Sequence, residues 1–186
     1  MTRYLVLLRG INVGGRNRLP MAALRELLES HGHTKVSTYI ASGNVILSSN
    51  QSAAAIKRDL EEALPKTFKL DSELVAVLVL TRAQLRAVVR DRPKGFGDQP
   101  GTYHSDAVFL MGIDAPTAMQ VFDPRPGVDE VWPGKGVIYS QRLSAERTKS
   151  RLAKIVGTPA YKSMTIRSWQ TTLALLERME APESDA

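Results

Sequence analysis

The pattern of apolar and polar positions divides the chain into two similar runs of elements. Tyr4 to Ile11 is a short apolar run ended by glycines, the mark of a buried strand. Met21, Leu24, Leu27 and Leu28 recur at helical spacing behind Pro20, which suits a first helical turn, and Gly32 closes that helix. Val36, Thr38 and Ile40 alternate onto one face of a second strand. Ser42-Gly43-Asn44 is a hairpin turn, and Val45 to Ser48 returns as a third strand. Ile56, Leu60 and Leu64 lie four residues apart on a helix over 53–64. Glu73 to Leu80 is a strongly apolar strand, and Thr81 can cap a helix bearing Leu85, Val88 and Val89.

A stretch rich in proline, glycine and polar groups follows, and then the order repeats. Asp106 to Met111 is a strand and Pro116 to Phe122 a short helix. Glu130 to Trp132 and Val137 to Gln141 are strands around the turn at 133–136. Thr148 to Val156 is predicted as a helix, Ser163 to Arg167 as a strand, and Trp169 to Met179 as a last helix with Ser168 at its N-cap. Each half therefore reads β-α-β-β-α-β-α. The predicted fold class is α+β: two consecutive units of this order, the first ferredoxin-like (split βαβ), with mainly antiparallel or mixed sheets. The expected domains are an N-terminal subdomain over 1–92, a linker over 93–105, a C-terminal subdomain over 106–180 and a disordered tail over 181–186. One continuous mixed sheet covered by helices is the competing architecture.

Charge sharpens this picture by its distribution. The net charge is +6, but residues 1–20 carry +4 and residues 141–178 carry +6, while residues 21–140 carry −1 and residues 179–186 carry −3. A positive excess of this kind favours an anionic partner, either a small molecule or a nucleic acid. The chain has no cysteine, which excludes disulfides, a zinc-thiolate site and a cysteine nucleophile. No apolar run is long enough for a membrane span or a signal-peptide core, so a cytoplasmic protein without a membrane partner is expected.

The glycine-rich stretch after the first strand, RGINVGGRNRLP over residues 9–20, holds the first candidate chemistry. Gly10 and Gly15 have the outer spacing of a Walker loop, but Arg16 and Asn17 stand where its lysine and hydroxyl are needed. The dinucleotide spacing G-x-G-x-x-G is absent as well. Two weaker readings remain. Gly14-Gly15 can form a nest of N–H groups flanked by the donors Arg9 and Arg16, or it can be an ordinary turn with solvated arginines. In a split βαβ unit the first two strands run parallel. That brings residues 10–19 beside Ser42, Gly43 and Asn44, so that Asn12, Asn17, Ser42 and Asn44 converge around two glycine turns.

Four segments, YLVLLRGINVGGRNRLPM, TYIASGNV, TKSRLAKIVGTP and TIRSWQT, resemble a bacterial family known as domain of unknown function 1697. The resemblance runs over about residues 3–178. The family's G-G-K-N is matched by Gly14, Gly15, Arg16 and Asn17, with arginine in place of lysine. Its S-G-N is matched by Ser42, Gly43 and Asn44. Its R-N-W-N-T is matched by Arg167, Ser168, Trp169, Gln170 and Thr171, with both asparagines replaced. The resemblance implies a two-subdomain α+β fold with a ferredoxin-like first part. It implies no reaction.

The C-terminal basic segment is the second candidate. On a helix, Arg147, Arg151 and Lys154 share one face, and Arg167 and Trp169 follow. Such a face can meet phosphates, with Trp169 as a stacking platform for single-stranded nucleic acid. Trp169 followed by Thr172, Leu173 and Leu176 also fits a helix packed on a core. His31 and His33 flank Gly32 without a third ligand, so no metal site is expected, and no cofactor. A helix-terminal histidine near the dipole is expected there instead. Asp129-Glu130 reads as the solvated start of a strand. Two functions stand. One is a binding module for an anionic ligand, using the glycine loop, the S-G-N hairpin and the basic C-terminal segment. The other is an enzyme acting on a small phosphorylated or carboxylated substrate, its base unidentified. Whether any reaction is catalysed is open.

Overall fold

A computed structural model describes residues 1–71 and 75–182. Glu73, expected to open a strand, and residues 183–186 of the expected tail lie outside the described residues. By contacts the chain forms two compact units, Met1–Leu85 together with Leu175–Ala186, and Arg86–Ala174. The division falls at residues 85 and 86, upstream of the segment 93–105.

The first unit contains β1 (Thr2–Arg9), α1 (Met21–Ser30), β2 (Thr34–Tyr39), β3 (Asn44–Ser49), α2 (Ala53–Phe68) and β4 (Ala76–Thr81). Its sheet has the order β2-β3-β1-β4, with every neighbouring pair antiparallel. Because β1 and β2 each run antiparallel to β3, they run parallel to one another, which is the split βαβ arrangement. Ser52 starts α2 by accepting a hydrogen bond from the Ala55 N–H at 3.2 Å. The α2 side chains Ile56, Leu60 and Leu64 are fully buried on the sheet face that carries Tyr4, Val6 and Leu8.

After α3 (Arg82–Arg90), the second unit contains β5 (Tyr103–Leu110), α4 (Ala115–Met119), β6 (Asp129–Gly134), β7 (Val137–Leu143) and β8 (Met164–Ser168), and α5 (Trp169–Glu180) begins in it. The sheet order β6-β7-β5-β8 repeats that of the first unit, again antiparallel throughout. The protein is therefore α+β with two separate four-stranded sheets, and the single continuous sheet is excluded.

The expected helix over 148–156 does not form. Three 3-10 turns, Ser144–Lys149, Leu152–Gly157 and Pro159–Ser163, take its place. Ser150 between the first two is extended, with φ −61° and ψ 142°. The physical reason lies in Asp129. Its Oδ2 accepts from the Arg151 N–H at 2.8 Å and the Arg125 N–H at 3.0 Å, drawing the backbone out of helical register. Asp129 itself is 4 % exposed, so its reading as a solvated strand start is corrected.

The two faces of the second sheet differ. One carries Val108, Ile138 and Met164 under α4 and the 3-10 turns. The other carries Tyr139, packed edge-on with Phe96 and Trp169 at ring-centroid distances of 5.2 and 6.3 Å. The Tyr139 hydroxyl donates to the Val88 carbonyl at 2.7 Å, and burial pushes its pKa up to about 12.

Candidate functional site

In the first unit, the chain between β1 and α1 folds into a small hairpin. Arg16 N–H bonds to the Val13 carbonyl and Asn12 N–H to the Asn17 carbonyl, both at 3.0 Å. Gly14 and Gly15 form its tip with φ of 58° and 76°, a type I′ turn that requires left-handed backbone at both positions. The neighbouring β2–β3 hairpin meets it: the Leu8 N–H bonds to the Gly43 carbonyl at 2.8 Å, and Asn12 Nδ2 donates to Ala41 O at 2.9 Å. Gly43 has φ 72°, and a Cβ on it would lie 2.7 Å from the Leu8 Cβ. Only glycine fits there.

The structure thus brings residues 10–19 beside residues 41–44, and uses the asparagines to hold them. Asn12 Nδ2 also donates to Leu19 O, and its Oδ1 accepts from Leu19 N–H at 2.8 Å. Asn17 donates to Gly10 O at 2.7 Å and accepts from the Asp71 N–H at 2.9 Å. Asn44 is fully buried and donates to Tyr39 O. These amides are engaged by backbone. Around them Ser42, Arg16 and Arg18 are exposed and Arg9 is half-buried. Gly15, Arg18, Leu19, Pro20, Met21 and Ala41 border an open hollow of about 410 Å³.

In the second unit the C-terminal candidates separate. Arg151 and Lys154 both converge on Asp123, at 3.2 and 3.0 Å, and hold its carboxyl below the usual carboxylate range, Lys154 foremost. Arg167 is buried, donates to Thr165 Oγ1 and Ile166 O, and has its pKa lowered to about 10 by burial. Trp169 is 1 % exposed and enclosed by Phe96 and Tyr139. Its indole presents no face for a base to stack on, which corrects the platform reading. The shared face of Arg147, Arg151 and Lys154 falls with the helix that would have carried it.

A different site emerges beneath the 3-10 turns. A cavity of about 240 Å³ lies on the sheet face opposite Trp169. Its polar end is made by Asp106, Ser140, Arg142, Arg147 and Ser150. Its other walls are Val108, Phe122, Leu152, Ile155 and Ile166. The register explains the gradient. Asp106 pairs with Ser140 and His104 with Arg142, while two residues along the same face Val108 pairs with Ile138 and Ile166. Alternation thus sets a charged row next to an apolar row on one face. Burial raises the proton affinity of the Asp106 carboxyl, against the pull of His104 and Arg142. His104 Nε2 lies 3.1 Å from Oδ1 and Arg142 Nη1 3.7 Å from Oδ2. Arg147 has no ion-pair partner among the described residues.

The sequence reading passed over this constellation. Its signal was Asp106 itself, which shares a face with Val108 and Leu110 at the head of the apolar run over 107–110. Two of the histidines have protein partners in the first unit. His31 Nδ1 pairs with Asp59 at 2.7 Å, and the buried His33 bonds Ser49 Oγ at 3.1 Å. Among the described residues no group of three or more His, Asp or Glu side chains has metal-holding geometry. No described helix is long and apolar enough to cross a membrane.

Two sheets of split βαβ order, one carrying a charged row under a partly open cover, define a tandem ferredoxin-like α+β protein. The model of a protein family of unknown function, DUF1697, matches residues 1–139, and the chain belongs to that family. The solved structure of the conserved bacterial protein SP0830 from Streptococcus pneumoniae is similar, with a TM-score of 0.83 and 27 % identity over 96 % of this chain and 99 % of that one. No curated protein matches the chain.

Proposed function

We propose that the protein binds a small anionic molecule with an apolar body, in the cavity of the second unit. The observation that supports this most is the lining of that cavity. Two basic residues, Arg142 and Arg147, line the polar end with one acidic residue, Asp106, and the walls beyond are aliphatic and aromatic. A pocket with few convergent polar groups and an apolar remainder is the usual form of a small-molecule site. The anionic ligand expected from charge is kept, and its place moves from the glycine hairpin, whose asparagines are engaged by backbone.

Two other readings each have an observation in their favour. The hollow beside Gly15 and Arg18 favours an anion at the hairpin edge. The Asp106 carboxyl, half-buried with raised proton affinity, favours an enzyme acting on a small carboxylated or phosphorylated substrate. Thermal-shift titration of the full chain with small carboxylates and phosphates, repeated on Arg147→Ala and Arg18→Ala, tests all three. The expected result is stabilisation by a carboxylate or phosphate with a short apolar chain, lost in Arg147→Ala and kept in Arg18→Ala. Loss only in Arg18→Ala moves the site to the hairpin. Turnover of a stabilising compound establishes the enzyme.

A further inference from the structure

We infer that the ligand of this cavity is a zwitterion, a free α-amino acid with a short branched apolar side chain. The inference rests on the anion-binding reading and specifies its ligand class. Three features of the lining carry it.

The first is the pairing of unlike charges. Arg147 reaches the cavity with no carboxylate of its own among the described residues, so it is the natural receptor for an anionic group. Asp106 is the complementary element. A carboxylate has about four acceptor positions, and among the described residues the Asp106 side chain has a single hydrogen bond, with His104 at 3.1 Å. Arg142 stands 3.7 Å away, beyond hydrogen-bond range. Asp106 therefore faces the cavity with acceptor capacity to spare. A simple carboxylate ligand would meet it with repulsion. An ammonium group one atom away from the ligand's carboxylate would meet it with a charge-assisted hydrogen bond.

The second is the spacing of rows on the sheet. Same-face residues two apart along a strand lie about 6.6 Å from one another. That separates the Asp106 and Ser140 row from the Val108, Ile138 and Ile166 row. A head group held at the first row places a short branched side chain over the second. Leu152, Ile155 and Phe122 close over it.

The third is size. About 240 Å³ equals the share of about eight water molecules at about 30 Å³ each. This suits a ligand on the order of ten heavy atoms.

The experiment is calorimetric titration of the full chain with three probes. L-leucine carries both charges, 4-methylpentanoate lacks the ammonium, and L-leucinamide lacks the carboxylate. Leucine is expected to bind most tightly, with 4-methylpentanoate about tenfold weaker or more, the value of one charge-assisted hydrogen bond. Asp106→Asn is expected to erase that preference while the unfolding midpoint stays near that of the parent protein. The ranking of probes on the unaltered protein decides the matter even if the variant misfolds. Equal binding of leucine and 4-methylpentanoate overturns the zwitterion and leaves the anion reading standing. Binding of leucinamide alone overturns both, as does the absence of binding by all three probes.

Discussion

The two units share a strand order and differ in how the sheet is closed. In the first, the crossover to the fourth strand is the 16-residue helix α2, whose Ile56, Leu60 and Leu64 fill the space over the sheet. In the second, the same crossover is made of three 3-10 turns, and a cavity of about 240 Å³ stays beneath them. The difference traces to a few residues. The first crossover reads AAAIKRDLEEALPKTF, good helix formers with the proline near the end. The second holds Thr148, Ser150, Gly157, Thr158 and Pro159, and Asp129 claims the Arg151 N–H. One topology can thus be built solid or built with a vacancy, and the choice lies in whether a single segment propagates a helix.

Core truncations should separate the units most. Leu60→Ala removes a fully buried side chain from a filled core and is expected to cost about 3 kcal/mol. Leu152→Ala, at a wall that already borders empty space, is expected to cost about 2 kcal/mol or less. Denaturant midpoints of both variants check this. Equal costs would mean that Leu152 is packed as closely as Leu60.

The next largest effect is in the hairpins of the first unit. Gly43→Ala combines a left-handed backbone with a clash against Leu8, and is expected to cost about 2 kcal/mol or more. Gly15→Ala meets nothing within 4 Å and should cost only about 1 kcal/mol. Arg16→Ala, exposed beside it, should change stability by less than about 0.5 kcal/mol. A thermal melt of each variant orders them, and an Arg16 effect as large as that of Gly43 would make the arginine structural.

The smallest effect is a slope with pH, confined to the first unit. Burial holds the His33 pKa below 6.5, against the attraction of Asp59 and with the repulsion of His31. The unfolded chain therefore takes up this proton before the folded one. Stability contributed by neutral His33 is full above about pH 6.5 and is lost as the pH falls through the lowered folded value. The Nε2 atom has no hydrogen-bond partner among the described residues, so a proton there finds no acceptor. Unfolding midpoints between about pH 5 and 7.5 should rise with pH, and His33→Gln should flatten the rise. An unchanged slope would assign it to another group.

Much of the fold was legible because its signals are local. Alternation, helical spacing and glycine turns gave the order of strands in both halves, and the parallel relation of β1 and β2 placed residues 10–19 beside 41–44. The failures are all long-range. Leu152, Ile155 and Val156 have helical spacing, but a carboxylate from β6, 22 residues upstream of Arg151, decided the backbone. Asp129 looked solvated because it is charged, yet two N–H groups hold it inside. The polarity of the Asp106 row was visible residue by residue, whereas the cavity above it depends on a helix that fails to form. Trp169 and Arg167 drew attention by type, and burial removed both from any surface role.

One contact bears on how the protein is made. Arg3, on the first strand, donates to the carbonyls of Arg178 and Ala181 at 2.9 and 2.8 Å, and the Arg178 guanidinium lies 4.4 Å over the Tyr39 ring. These belong to one unit, which draws its last piece from Leu175 onward, while the other unit is the unbroken stretch Arg86–Ala174. On the ribosome that stretch of about 90 residues takes on the order of 5–20 seconds to emerge. Throughout this interval the first unit has its sheet but not its closing segment, and Arg3 waits for carbonyls not yet synthesised. The unit translated first is the one finished last.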